Sequence, residues 1–385
     1  MALDETLKNK RFETRAIHSG RVPEDHTGSV TTPIFPSSTY RVAYPGDDDG
    51  YVYSRWANPT RFALEDALAT LENGIRGFAF SSGLGALTTL LHLFESGDHI
   101  VAVRDLYGGT HRQFERVMRR FGLDFTYVDG RDAADFENAV RDNTRLFWLE
   151  TPTNPLLRLI DIEKVAAIAH QRSLLTAVDN TFATPYIQRP LDLGADIVMH
   201  SMSKYLAGHC DVIAGALITK NEELAEKIRF HQNALGATLG PFDSWLVLRG
   251  LKTLHVRMER HSFNSVKVVE FLETIPRVSR IYYPGQDGRG VPNHMKYPGG
   301  MVSFELNADF ETVKKFATST KVFVLAESLG GVESLINHPA SMTHASIPAE
   351  IREKNGIKDS LIRLSVGIEH YEDLLEDLRA AFAAI

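Results

Sequence analysis

Along most of the chain, short apolar runs alternate with stretches whose apolar residues recur every three or four positions. Gly77 to Phe80, His99 to Val103, Phe125 to Val128, Leu146 to Leu149, Leu175 to Val178 and Asp196 to Met199 have strand length. Between them lie helical patterns from Leu84, through Arg112 to Phe121, and from Ile162 to His170. A run without polar alternation suits a strand covered on both faces, and an intervening helix is the crossover that parallel pairing needs. The pattern predicts an α/β fold built on a mainly parallel sheet flanked by helices. A helix from Pro59 to Leu71 is predicted by its cap signal Asn58-Pro59 and its stop signal Asn73-Gly74. Beyond Trp245 the pattern turns helical, and Met301 to Leu306 and Leu361 to Val366 read as strands of a smaller α+β domain. Residues 1–56, punctuated by Pro33, Pro36 and Pro45, carry little core of their own and read as an extended arm lying on a neighbouring subunit. The expected division is an arm (1–56), a large domain (57–245) and a C-terminal domain (246–385).

Composition narrows the class without naming a function. The 385 residues suffice for two domains and a substantial core, and a formal charge of -7 with no long block of like charge argues against nucleic acid or anionic membrane as partner. No window approaches the roughly 18 apolar residues of a membrane span, and the opening residues lack the apolar core of a signal peptide. One cysteine, Cys210, excludes an internal disulfide framework, so a cytoplasmic protein is expected.

Two charged residues then stand out. Asp179 follows the run ending at Val178, and Lys204 lies in Ser201-Met202-Ser203-Lys204 after the run ending at Met199. Ligands of open α/β sheets bind beyond the carboxyl ends of the strands, so both groups should face one crevice. A lysine and an acid held apart there suit a cofactor with an aldehyde at one end and a basic ring nitrogen at the other, pyridoxal phosphate. Lys204 would condense with the aldehyde and, once released by a substrate amine, act as general base. Asp179 would keep the ring nitrogen protonated. Ser82-Gly83-Leu84, where a strand turns into a helix, offers amides for the phosphate, with Ser201 and Ser203 adding hydroxyls. Tyr107 could stack on the ring. Arg363, a charge inside a strand-like apolar run, suits a substrate carboxylate. The bland alternatives are a solvated lysine, a turn acid, a core tyrosine and an arginine on an exposed strand face. Two other classes stay open: a nucleotide-dependent oxidoreductase using Gly83-x-Gly85, weakened by Thr88 at the third glycine, and a metal-binding protein using His200, His209 and Cys210, which lack an established ligand spacing.

Read together, Tyr53-Ser54-Arg55, Asn58-Pro59-Thr60, Ser82-Gly83-Leu84, Tyr107-Gly108-Gly109-Thr110, Glu150-Thr151-Pro152-Thr153-Asn154-Pro155, Val178-Asp179-Asn180-Thr181, Ser203-Lys204-Tyr205, Glu327-Ser328-Leu329-Gly330-Gly331 and Met342-Thr343-His344-Ala345 closely resemble the cystathionine γ-synthase/γ-lyase family. The resemblance covers essentially the whole chain in order. It implies the fold type I of pyridoxal-phosphate-dependent transferases, with a mainly parallel seven-stranded sheet, and a homotetramer built as a dimer of dimers. It implies that Tyr53 and Arg55 reach the cofactor phosphate of the neighbouring subunit, that Gly83 and Leu84 supply amides to it, and that Tyr107 stacks on the ring and takes part in proton transfer. Asn154, Glu327, Ser328 and Arg363 match positions that hold the substrate. Val52 stands where an acid that meets the distal amine of cystathionine is common, and Gly109 replaces the cysteine typical of methionine γ-lyases; Glu327 looks like the γ-lyase and γ-synthase branch. The activity this implies is α,γ-elimination of cystathionine. Cystathionine γ-synthase, cystathionine β-lyase, methionine γ-lyase and acyl-homoserine sulfhydrylase are the related alternatives.

Overall fold

In the computed structural model the described residues are all of 1–385 except 1–6, 8, 22, 23, 25, 48, 49, 287–289 and 346. Helix α1 (Phe12–His18) opens the described chain. The arm was expected to be irregular throughout. Its helix buries only Phe12, Arg15 and Ala16, too few residues for a periodic signal, and it is held by tertiary contacts. The Phe12 ring lies 5.0 Å from that of Tyr186, and Arg15 Nη1 donates to the Asn73 side chain at 2.6 Å. Helix α2 (Pro59–Leu71) starts where its cap signal stands: the Asn58 side chain accepts from the Thr60 and Arg61 amides, a contact worth about 1 kcal/mol.

Seven strands follow: β1 (Arg76–Phe80), β2 (His99–Val103), β3 (Asp124–Val128), β4 (Thr144–Glu150), β5 (Leu175–Asp179), β6 (Ile197–Ser201) and β7 (Gly215–Thr219). They form one sheet in the order β1-β7-β6-β5-β4-β2-β3. β2 to β6 pair parallel, and β7 runs antiparallel to both β1 and β6. The mainly parallel, seven-stranded sheet is as the resemblance implied; the apolar pattern alone missed β7, because a strand that follows β6 without a crossover helix has no place in a βαβ alternation. The core on one face centres on aromatic packing, with Phe114 and Phe125 stacked at 4.4 Å and Phe114 edge-on to Trp148 at 6.0 Å.

The remaining strands, β8 (Val278–Tyr282), β9 (Met301–Leu306), β10 (Val324–Leu325), β11 (Leu335–Asn337) and β12 (Leu361–Ser365), form a second sheet in the order β10-β11-β12-β9-β8. A 20-residue helix, Leu254–Glu273, packs on β8 and β9 of this sheet and on α1. Among the described residues no helix is long and apolar enough to cross a membrane.

Candidate functional site

Parallel strands deliver their carboxyl ends to one edge, and there β4 ends on Glu150, β5 on Asp179 and β6 on Ser201. Glu150 and Asp179 are register partners, so two carboxyl groups lie side by side in a buried position. Burial, then the Asp179 carboxylate, pushes Glu150 well above the usual carboxyl range. Asp179 is also raised by burial, but two hydrogen bonds from Thr181, from its amide at 3.0 Å and its hydroxyl at 2.5 Å, favour the charge. Glu150 is therefore the partner that keeps the proton. Both Thr181 bonds go to Oδ1, and among the described residues Asp179 Oδ2 has no hydrogen bond, leaving one anionic oxygen for a cation.

Lys204 lies three residues beyond β6. Its Nζ donates to Ser328 Oγ at 2.7 Å, and burial, helped by the Arg363 charge, lowers it from the usual lysine value to about 8. Imine formation needs the unprotonated amine, so capture of an aldehyde by the cofactor-free protein should accelerate as pH rises, with a midpoint near 8 rather than at the ordinary lysine value of 10.5. Stopped-flow mixing with pyridoxal phosphate across pH checks this; a rate still rising tenfold per unit at pH 9 would show an unperturbed lysine.

Helix α3 (Gly83–Leu91) begins against the end of β6, its Ser82 cap accepting from the Gly85 amide at 2.9 Å. A side chain at 83 would lie 3.1 Å from Ser201 Cβ, so the α3 amino terminus and Ser201 share one small space. Ser201 Oγ makes no hydrogen bond among the described residues, whereas Ser203 Oγ accepts from the Ala214 amide at 2.9 Å. Gly215, at the start of β7, packs directly beneath: a Cβ there would sit 2.1 Å from the Ser82 carbonyl oxygen. Gly215→Ala should thus displace the α3 amino terminus and weaken cofactor retention about tenfold or more, roughly 1.4 kcal/mol, read by dialysis and re-titration.

Arg363 is fully buried in the centre of β12. Its Nη1 donates to Asn154 Oδ1 at 2.7 Å and its Nη2 to the Ser328 carbonyl at 3.1 Å. With the Asn337 amide turned so that its oxygen faces the guanidinium, that oxygen accepts from Nε at 3.2 Å and Nη2 at 2.6 Å. All these acceptors are neutral, and no described carboxylate forms an ion pair with Arg363. Burial draws it down to about 10, so it stays charged at neutral pH. Tyr107, on the loop after β2, donates its amide to Glu150 Oε2 at 2.9 Å. Burial raises its phenol, which stays protonated, and the charges of Arg112, Glu327 and Arg363 act on it. Glu327 is exposed and acts on Lys204 as well.

The predicted residues thus fall into two groups. Asp179, Ser82, Gly83, Leu84, Ser201, Lys204, Tyr107, Asn154, Glu327, Ser328 and Arg363 converge on the strand ends, as does Ser203, whose hydroxyl is engaged with the Ala214 backbone. Tyr53 and Arg55 do not: Arg61 donates to the carbonyls of Ser54, Arg55 and Trp56 and fixes their backbone, while both side chains stay exposed. Arg55 Nε donates to Asn233 Oδ1 at 3.1 Å. Glu150, Thr181, Gly215 and Asn337 were not singled out from sequence: Glu150, Gly215 and Asn337 act through neighbours on adjacent strands or the turns that follow them, and Thr181 through a local turn onto Asp179. His200 is turned to Glu72, with Nε2 at 2.6 Å from the carboxylate, and His209 to the Ala207 carbonyl, so the two do not converge.

An amine near neutrality, an acid with one free oxygen, a helix amino terminus beside a free hydroxyl and a buried cation form a set that fits pyridoxal phosphate with an amino-acid substrate. Fold and site together are those of a pyridoxal-phosphate-dependent enzyme. The family model of Cys/Met metabolism PLP-dependent enzymes matches residues 13–383. The chain is 51% identical over 382 residues to a cystathionine beta-lyase of Coxiella burnetii, covering 97% of this chain and 98% of that protein. It is 49% identical over 379 residues to a cystathionine gamma-lyase of Bacillus subtilis, covering 97% and 99%. The crystal structure of cystathionine gamma-lyase from Lactobacillus plantarum complexed with L-serine superposes with a TM-score of 0.94 at 49% identity, covering 98% of this chain and 99% of that one. The chain belongs to the Cys/Met metabolism family of pyridoxal-phosphate-dependent enzymes.

Proposed function

We propose that this enzyme cleaves cystathionine by α,γ-elimination, consuming one water and releasing cysteine, 2-oxobutyrate and ammonia. The observation that carries the reading is Arg363: a buried guanidinium whose described acceptors are all neutral, joined through Ser328 to the amine of Lys204. An α-carboxylate supplies the missing anion and places the substrate's Cα beside that amine.

Bound pyridoxal phosphate supplies the electron sink that makes protons on Cα and Cβ removable. Asp179 would hold the ring nitrogen through its free oxygen, and Tyr107 would cover the ring face. Gly83 and Leu84 offer amides, with the Ser82, Ser201 and Ser203 hydroxyls around them, to the phosphate. Lys204, with its proton affinity lowered by burial, removes the Cα proton and then a Cβ proton. Tyr107, kept as a neutral phenol, is placed to protonate the departing sulfur. Asn154, Glu327 and Ser328 complete the substrate side. The exposed Tyr53 and Arg55 serve the phosphate of a second copy, which fits a homotetramer built of two dimers. A single cysteine suits a reducing, cytoplasmic setting.

A β-elimination giving homocysteine, pyruvate and ammonia is the second reading, favoured by the beta-lyase name of the relative at 51% identity. Both eliminations are separated from γ-replacement by one comparison. The holoenzyme receives L-cystathionine, and separately O-acetyl- or O-succinylhomoserine with cysteine. Cleavage of cystathionine well above the rate of condensation is expected; condensation with cystathionine left intact would overturn the elimination reading.

A further inference from the structure

His344 lies in the segment Met342 to Ala345, which joins the second sheet to the helix Ala349–Asn355 and carries none of the roles assigned above. Its side chain is fully buried. Nε2 lies 3.2 Å from the backbone carbonyl oxygen of Asn154, and Nδ1 lies 2.8 Å from Thr343 Oγ1. A carbonyl only accepts, so Nε2 carries the hydrogen and Nδ1 accepts from the Thr343 hydroxyl. Burial holds the imidazole neutral, with its ionisation pushed down to about 3. The same segment presses on the next loop residue: a Cβ at Gly108 would lie 2.5 Å from the Thr343 carbonyl oxygen. The ring therefore touches the Asn154 backbone on one side of the site, while its own segment packs on the Tyr107 loop at Gly108 on the other.

We infer that His344 is a positioning residue: by hydrogen-bonding the Asn154 carbonyl from a segment packed on the Tyr107 loop, it holds the Asn154 side chain where that side chain orients Arg363 for the substrate's α-carboxylate. The chain of contacts is continuous, from the His344 ring to the Asn154 backbone, from Asn154 Oδ1 to Arg363 Nη1, and from Arg363 to the ligand. A ring that stays neutral throughout the working range gives this support no pH dependence of its own. The inference rests on the reading that Arg363 binds the α-carboxylate.

The test compares ligand binding in His344→Phe and His344→Gln holoenzymes. Glutamine keeps a donor close to the position of Nε2, and phenylalanine keeps the bulk without a donor. The perturbation of the bound cofactor's visible spectrum gives dissociation constants for glycine, which carries the carboxylate, and methylamine, which lacks it. His344→Phe should weaken glycine about tenfold, the loss of one hydrogen bond's worth of orientation, and leave methylamine and cofactor retention unchanged. His344→Gln should bind glycine within about twofold to threefold of the parent, less than half a tenfold step in free energy. Equal weakening of glycine and methylamine, or no rescue by glutamine, would reduce His344 to general packing and overturn the inference. Arg363→Lys is measured alongside: if it leaves glycine binding unchanged, the carboxylate reading itself fails, whatever His344 does.

Discussion

Lys204→Ala is expected to abolish the visible absorption band of the bound cofactor and to lower turnover by at least about 10³-fold. The magnitude follows from the double duty of one amine. In the proposed mechanism it anchors the cofactor aldehyde and, after release, serves as the base at Cα. Three features prepare it for that duty: its placement beyond the end of β6, the hydrogen bond to Ser328 at 2.7 Å, and a burial that brings it to about 8. Removing the ammonium also removes a cation from beside Arg363, so the fold should tolerate the change well. The check is a paired measurement of absorption and steady-state rate on protein whose melting temperature is at least that of the parent. A variant that retained the band would place the aldehyde on another amine.

Arg363→Ala is the second large effect. Truncating a buried, fully hydrogen-bonded charge costs about 2–5 kcal/mol, which is roughly 30-fold to several thousand-fold in kcat/KM. The loss should fall mainly on amino-acid substrates and spare cofactor retention, because Arg363 meets Asn154, Asn337 and Ser328 and none of the residues at the phosphate end. Arg363→Lys should recover only part of it. An ammonium restores the charge but not the planar fork that Asn154, Asn337 and Ser328 are arranged to hold. Steady-state kinetics with equilibrium titration of pyridoxal phosphate separates the two quantities. An equal fall in substrate and cofactor affinity would mean that the whole crevice had collapsed.

The residues that could be read from the sequence share a property: each carries its polarity where the local pattern forbids it. Asp179 and Lys204 follow apolar runs, and Arg363 interrupts one, so a one-dimensional pattern exposes all three. Parallel strands between helices were equally plain. What the pattern could not show is pairing across the sheet. β7 lies between β1 and β6 by antiparallel register, and Gly215 matters because its missing Cβ lets the Ser82 carbonyl approach. Glu150 stood in a quoted motif, but its meaning came only when register placed it beside Asp179 and geometry gave it the Tyr107 amide. Helix α1 escaped for a different reason. Its stability lies in what Phe12 and Arg15 touch, not in its own seven residues.

The arm carries the same lesson at the scale of subunits. Tyr53 and Arg55, proposed to serve a second copy's cofactor, are exposed in a single protomer, and Arg61 holds the Ser54 and Arg55 carbonyls beside them. A fixed backbone carrying exposed side chains is the arrangement that the proposed role in a second copy would need.

Val52 and Glu327 bear on which bond breaks. In the proposed reading Val52 would give the distal end of cystathionine an apolar neighbour in place of an acid, while Glu327 offers a carboxylate close enough to act on Lys204, Tyr107 and Arg363. Elimination at Cγ demands a base that serves two adjacent carbons, and the proposal gives that role to Lys204, which rests on the residue whose carbonyl Arg363 also binds. The most direct measurement is the identity of the keto acid released from L-cystathionine by the holoenzyme, resolved by chromatography after trapping. 2-Oxobutyrate, in equal amount with cysteine, is the predicted result; pyruvate with homocysteine would contradict α,γ-elimination.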